Sequence, residues 1–471
     1  MDIKSFLKMV FAIAVPVALQ NLLTTTGSMV DTIMIGSIGE TSVGAVGLCA
    51  QFSGLMFSCY WGIVGGGVLF FSQYWGSKDH AGLKRSYGMM LTTLMGIAFV
   101  FAIAAVFFPD KVMAIYTDKT VIQDIGIRYL RIAGIAYPLQ VYSVAVSTLL
   151  RSTEEVKIPL IASIASVCTN MFLNWVLIFG HLGSPALGVE GAAIATVCAA
   201  LVNVLINLIF ARVKKYSYLF DIRGHFKWIK GSAPLFYKKC FPIICNELAM
   251  GISNLIINMI LGRQVEEAIA ALAVFRTFEG LVISFFGGFS SASSVLVGKR
   301  VGAGEHEEAF KIANRCVYLC ASIILIVGVG IFALHTPLLH IMGLSGASFE
   351  YATQMLLVYC VIAVLRMSNW ISNDTCRASG DAITGTCMEI AFMYLLNIPV
   401  VLLANGLWHW SFLFIFVATY MDEPVRFVLM QFHMHSGGFI RPVTREGRKT
   451  LPEFRKRHPL KLFWTKMGLK E

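Results

Sequence analysis

The chain has 471 residues, 57% of them apolar and only 14% charged, with a formal net charge of +11. Soluble domains carry about 45–50% apolar and about 25% charged residues, so the composition excludes a cytosolic enzyme, a secreted protein and any sizeable extramembrane catalytic domain. The apolar residues number about 268, or about 22 for each of twelve spans, close to the ~20 that one bilayer-crossing helix needs.

The apolar runs are continuous rather than alternating, which argues against a transmembrane barrel. The expected fold is an all-α membrane protein with twelve helices at 7–36, 43–74, 85–108, 121–149, 158–180, 187–211, 238–262, 268–298, 312–335, 349–376, 382–404 and 408–432. Lys4 and Lys8 precede the first apolar run as in a leader peptide. No small-residue cleavage site ends that run and the pattern continues to Gly36, so it reads as the first span.

The connections at 75–84, 150–157, 212–237, 299–311 and 377–381, with both termini and their flanks, hold about 30 of the 38 Lys and Arg. The opposite loops hold Lys111, Lys119 and Arg263. This bias predicts a multi-pass inner-membrane protein with both termini in the cytoplasm. The last 39 residues carry ten basic and three acidic side chains; beside a membrane span, such a run points to anionic lipid rather than nucleic acid. The eleven cysteines are scattered, mostly inside apolar runs, and read as small buried hydrophobes.

An internal repeat organises the chain. Pro16 and Pro242 stand 226 residues apart, as do Gly36 and Gly262, Gly54 and Gly280, Gly62 and Gly288, Gly76 and Gly302, His80 and His306, and Arg151 and Arg377. Residues 36–85 and 262–311, aligned without gaps, share about ten identities. The expected domains are an N-lobe at 1–211, a basic linker at 212–237, a C-lobe at 238–432 and a basic tail at 433–471. Six spans per half give both halves the same orientation, as in parallel-repeat transporters, with a central cleft between the lobes.

Ionisable groups within spans usually line a pathway, because they are costly to leave unpaired in hydrocarbon. In the first helix Asn21, Thr24, Ser28 and Asp31 fall within one stripe of about 80°, after Pro16, where a missing backbone hydrogen bond permits a bend. Asn170 and Asn174 share a face of the fifth helix, and Thr196 sits early in the sixth. A carboxylate, two amide oxygens and a hydroxyl offer hard oxygen ligation for a small cation such as Na+, or a place for a proton.

The second half has its own set. Glu247, Gly251, Asn254 and Asn258 line one face of the seventh helix after a second proline hinge, Pro242. Arg276 and Glu279 are spaced to pair on the eighth helix, and Arg366, Asn369 and Asn373 form a stripe on the tenth with Asp374 beside it. Glu389 enters the eleventh helix, while Asp422, Glu423 and Arg426 are expected to form an interfacial pair near the cytoplasmic end of the last. The glycines at 65–67 read as close helix packing. The GAG at 302–304 follows a helix rather than a strand, so it fails the context test for a phosphate loop. With neither a Walker motif nor a nucleophile elbow in the sequence, energy is expected from an ion gradient.

Several segments together resemble the multidrug and toxic compound extrusion (MATE) family: PVALQNLLTTTGSMVDTIMIGSIG, SQYWGSKD, LLRSTEEVKIP, NMFLNWVLIFG and GVEGAAIAT in the first half, then FPIICNE, VFRTFEG, VLVGKRVGAGE and CRASGD in the second. The resemblance covers about residues 5–435. It implies two lobes of six helices and secondary active efflux of organic, amphipathic or cationic compounds in exchange for sodium ions or protons by alternating access. It also implies a non-enzymatic protein, a monomer without a cofactor. Asp31 matches the first-helix aspartate of the family's N-lobe cation site, and Asn170, Asn174 and Thr196 match its partners. Glu247 matches a seventh-helix glutamate of the C-lobe in some members. Where those members carry a tenth-helix aspartate this chain has Arg366, which places the coupling ion in the N-lobe. RSTEE at 151–155 lacks the glycine usual there. The alternatives are a lipid-linked precursor flippase of the same superfamily, which would need a cationic cavity and has Arg276 and Arg366 to offer, and an integral membrane transferase, which would need a clustered acid or histidine site.

Overall fold

In hydrocarbon every backbone N–H and C=O must find its partner within the chain, so long apolar segments settle as helices. The structure, a computed structural model, describes residues 2–227 and 231–459. Residues 228–230 of the expected linker and 460–471 of the expected tail lie outside the described residues. Eleven helices among those described are long and apolar enough to cross a membrane, and the chain is an all-α, multi-pass membrane protein.

The helices group into two units. One comprises Pro16–Phe71 and Asp79–Lys238; the other comprises the residues before Pro16, Ser72–Lys78 and the chain from Lys239 onward. The first half of the chain forms α1 (Ile3–Gly36), α2 (Glu40–Gly76), α3 (His80–Phe107), α4 (Pro109–Tyr116), α5 (Thr120–Ser152), α6 (Lys157–Phe179) and α7 (Val189–Val213). Two short helices, α8 (Ser217–Phe220) and α9 (Ile222–His225), follow within the linker. They dock on α3: Lys84 Nζ lies 2.8 Å from Asp221, and a Cβ at Gly88 would sit 2.2 Å from the His225 carbonyl oxygen.

The second half forms α10 (Ser232–Leu261), α11 (Glu266–Ala303), α12 (His306–Ala333), α13 (His335–Ile341) and α14 (Gly346–Ala378). After it come α15 (Thr384–Phe392), α16 (Ile398–Gly406), α17 (Phe412–Ala418), α18 (Asp422–His435) and α19 (Arg445–Arg457). The 226-residue offset holds at the level of whole elements: α2 and α11, α3 and α12, α4 and α13, and α5 and α14 each begin that far apart.

Two expected spans are not regular. The eleventh carries a π segment at Met393–Asn397, between α15 and α16. Pro399 follows it and cannot donate to the preceding turn. The twelfth, expected unbroken at 408–432, is instead α17 and α18 with a break at 419–421. Pro424 deletes a hydrogen bond at this point, and side chains take over from the ladder. Asn397 donates to the Thr419 carbonyl at 2.7 Å and Asn369 to the Glu423 carbonyl at 3.0 Å.

The tail, expected to be a basic run at the lipid surface, folds back onto its own unit through residue 458. Ile440 bridges Gly380, and Thr444 and Thr450 donate to the Gly302 and Gly304 carbonyls (2.7 and 2.9 Å), capping the end of α11. The Gln73 amide donates to the Ala378 carbonyl and accepts from the Val443 N–H, at 2.9 and 2.8 Å. Close approach is obligatory here. A Cβ at Gly76 would lie 1.9 Å from the Lys299 carbonyl oxygen, and one at Gly302 would lie 2.0 Å from that of Gln73.

Candidate functional site: a buried acid between amides

The first site is built where α1 and α6 run side by side. Gly27 lets the helices approach, since a Cβ there would meet Val167 at 3.2 Å. One turn on comes Asp31, and one turn beyond that Ile35 packs with Ile178 of α6 and Ala192 of α7. On α6 the spacing from Val167 to Ile178 carries Asn170 and Asn174 into the gap opposite Asp31. Asn174 Nδ2 donates to Asp31 Oδ1 at 2.5 Å. With its amide nitrogen toward the acid, Asn170 donates to both carboxylate oxygens, at 2.6 and 3.2 Å. Both asparagines are buried, and Asn174 Oδ1 has no hydrogen-bond partner among the described residues. A buried acceptor without a donor is costly, and this one belongs to the side chain whose nitrogen holds the carboxylate.

Thr196 is not joined to this group by a hydrogen bond among the described residues; its hydroxyl donates to the Ala192 carbonyl at 3.0 Å. The hydroxyls of Thr24 and Ser28, expected to share the stripe of Asp31, likewise bond the backbone of their own helix. Pro16 and Pro242 lie inside unbroken helices, α1 and α10.

The other unit holds a larger charged network. Arg276 donates to Glu279 Oε2 at 2.8 Å and to Asn258 Oδ1 at 3.0 Å. Arg366 donates to the second oxygen of Glu279, to which the Tyr420 hydroxyl also donates at 3.2 Å. Glu389 accepts from Asn246 (2.9 Å), Asn373 (2.7 Å) and Arg426 (3.0 Å). Arg377 lies 3.4 Å from both Glu247 and Asp374. Asp422 and Arg426 form the expected ion pair at 3.0 Å, with Glu423 3.9 Å from the same guanidinium. All three are buried, with Arg426 on Asp422 and Asn369 donating to Glu423 Oε2 at 2.7 Å. Charges out of water need this degree of pairing. Asn254 stands exposed on α10, one turn before Asn258.

The family model MatE matches this chain twice, at residues 16–176 and 242–403. The chain belongs to the MATE family. The two matches begin at the repeated prolines, so each half is one copy of the family's unit. Among curated MATE relatives, the "Probable multidrug resistance protein YoeA" of Bacillus subtilis (strain 168) is 26% identical over 82% of this chain and 84% of its own length. The multidrug export protein MepA of Staphylococcus saprophyticus is 22% identical over 84% and 86%. Among solved structures, the Vibrio cholerae MATE transporter VcmN, as an aspartate-to-asparagine variant, superposes with a TM-score of 0.83 at 15% identity, over 92% of this chain and 97% of that one.

Within this MATE chain the sequence reading missed a polar triad that the repeat duplicates. In the first half Arg151 donates to Gln20 (2.8 Å), which donates to Ser163 (2.8 Å). The residues 226 further on are Arg377, Asn246 and Glu389, also bonded to one another through Glu389. The offset already pairs Arg151 with Arg377, but Gln20 and Ser163 become Asn246 and Glu389, so the triad emerges only from the fold. Asp31 has no such copy, because the residue 226 further on is Ile257.

Proposed function

We propose that this MATE-family chain is a secondary active antiporter of the inner membrane, acting as a monomer with both termini in the cytoplasm. It exports amphipathic organic compounds in exchange for an inward-moving Na+ or H+. Asp31, Asn170 and Asn174 hold the coupling ion, and Thr196 is the fourth residue that the family resemblance assigns to the set. The observation that carries this reading is the Asp31 carboxylate held by the amide nitrogens of two buried asparagines, Asn170 and Asn174, with no arginine or lysine on it among the described residues. The multidrug names of the curated relatives support the substrate class.

The chemistry of a switch follows from the amides. An ionised Asp31 takes amide N–H groups. A proton or sodium ion on Asp31 favours amide oxygens instead, so the asparagines turn and the packing of α1 on α6 changes with the charge state. Pro16 gives α1 a place to absorb that change. Alternating access then couples the two: substrate binds when the site is empty and open inward, and is displaced when the ion arrives from outside. A potential of 100 mV contributes about 2.3 kcal/mol per charge moved fully across, enough for roughly fiftyfold accumulation.

The test is purified protein in proteoliposomes with a panel of fluorescent dyes, imposing a sodium gradient and a pH gradient separately. Export driven by one of them is expected and names the ion. Dye movement indifferent to both gradients would overturn the antiport reading.

A further inference from the structure

One turn beyond the candidate ion site lies an apolar layer that the site's own helices build. Ile35 follows Asp31 by four residues on α1, and Ile178 follows Asn174 by four on α6. Helical residues four apart share a face, about 5.4 Å apart along the axis. α7 returns from α6 through a short connection, so its order is reversed, and there Ala192 precedes Thr196 by four. On all three helices the apolar residue is displaced from the polar one in the same direction, toward the end where α1 and α6 finish and α7 begins. Ile35, Ile178 and Ala192 pack together and are no more than 4% exposed. Val43 and Val46 of α2 and Tyr129 of α5 pack against them.

Backbone contacts fix the layer. The Leu187 N–H donates to the Leu177 carbonyl at 2.8 Å, and a Cβ at Gly191 would sit 2.7 Å from that carbonyl oxygen. α6 and α7 therefore touch directly beside Ile178 and Ala192. Outward of Ala192 along α7, Glu190 pairs with Arg128 of α5 at 3.2 Å, tying together two helices of the layer. An apolar constriction of this kind bars water and ions by dewetting. Asp31 is itself only partly buried, and an acid at membrane depth faces water rather than lipid. The acid is thus reached from another side while this end is shut.

We propose that Ile35, Ile178 and Ala192 form the outer gate of the Asp31 site, the layer that the coupling ion crosses on entering from outside. The inference rests on the export reading, whose cytoplasmic termini put this end of the helices outside. It adds the residues that keep two approaches to Asp31 from being open together.

A site open on both sides at once leaks ions, so the test needs no dye. Purified full-length protein is reconstituted in proteoliposomes. Uptake of radioactive sodium and the fluorescence of entrapped pyranine read the flux of Na+ and H+ down imposed gradients. Ile178→Ser puts a hydroxyl into the layer and is expected to raise the flux of one of these ions about fivefold or more. Asp31→Asn in the same chain is expected to return it to the wild-type level, since the path runs by way of the acid. Ile35→Ala thins the layer without adding a polar group and is expected to act in the same direction, so the test stands if Ile178→Ser does not fold. Leu94→Ser, at an equally buried position on α3, is expected to leave the flux unchanged. Wild-type flux in the gate variants, with ion-driven dye export intact in the wild type, would overturn the gate and keep the export reading. A leak that survives Asp31→Asn, or one that Leu94→Ser matches, would overturn the gate as well. An Asp31-dependent leak in Ile178→Ser, when the wild type exports no dye under either gradient, would instead sink the export reading and leave the gate standing.

Discussion

At the scale of single residues, function concentrates where a polar group lacks a local explanation. Asn174 donates to Asp31 while its own oxygen has no partner among the described residues, whereas the Thr196 hydroxyl is satisfied by its own helix. Asn174→Ala is therefore expected to lower gradient-driven efflux about tenfold or more, and Thr196→Val to lower it less than about threefold, since a charge-assisted hydrogen bond contributes about 1.5–3 kcal/mol. Vesicle efflux rates at equal protein abundance check this, and the reverse order would remove Asn174 from the ion site. Asp31, Asn170 and Asn174 were legible in sequence because a mid-span acid and an i,i+4 amide pair are rare. Gln20, Arg151 and Ser163 were not, since each alone is an ordinary polar residue and only the fold brings them together.

Helices were legible as apolar runs, but their irregularities were not. Hydrophobicity along 408–432 gives no sign that Asn397 and Asn369 will replace backbone bonds at a break. The signs present, Pro399 and Pro424, have meaning only beside those donors. The tail shows the same limit: its charge is visible, but its docking depends on Phe439, Ile440 and Phe454, which are buried. Where α2 meets α11, Gly302→Ala would drive a Cβ against backbone rather than a flexible side chain. Overpacking of this kind costs about 1–3 kcal/mol, so the variant is expected to melt several degrees below the wild type, and an unchanged melting temperature would contradict the close crossing.

The tail also carries a pH dependence. Burial alone would raise the carboxyl of Asp381, which lies between α14 and α15. The His433 hydrogen bond (2.8 Å), the charges of His433 and Arg441, and the Thr384 hydroxyl outweigh it and hold the group below its ordinary range. The stability this adds is fully present above the unfolded carboxyl value of about 3.9 and is lost as pH falls through the lower, folded value. Protease protection of 439–458 should thus hold at neutral pH and fail only in strong acid, while Asp381→Asn should weaken it at neutral pH. Protection in Asp381→Asn equal to the wild type would show that the docking does not depend on this acid.

For the whole molecule, duplication explains the architecture, and its exception, Asp31, is where the proposed coupling resides. Five pairs of landmarks keep the same offset: the two family matches and the starts of four helices in each half. Polar residues at that offset form equivalent brackets in both halves. Asp31 departs from the pattern, facing amides in one half where the other has Ile257. Under the proposed function, an acid without a counterpart at the repeat offset gives the scaffold one place for a single coupling ion. The most direct measurement is efflux by Asp31→Asn against the wild type in proteoliposomes under an imposed sodium or pH gradient, with both proteins matched in abundance. The account predicts that the variant inserts normally and loses gradient-driven export. Export by the variant at the wild-type rate would contradict it.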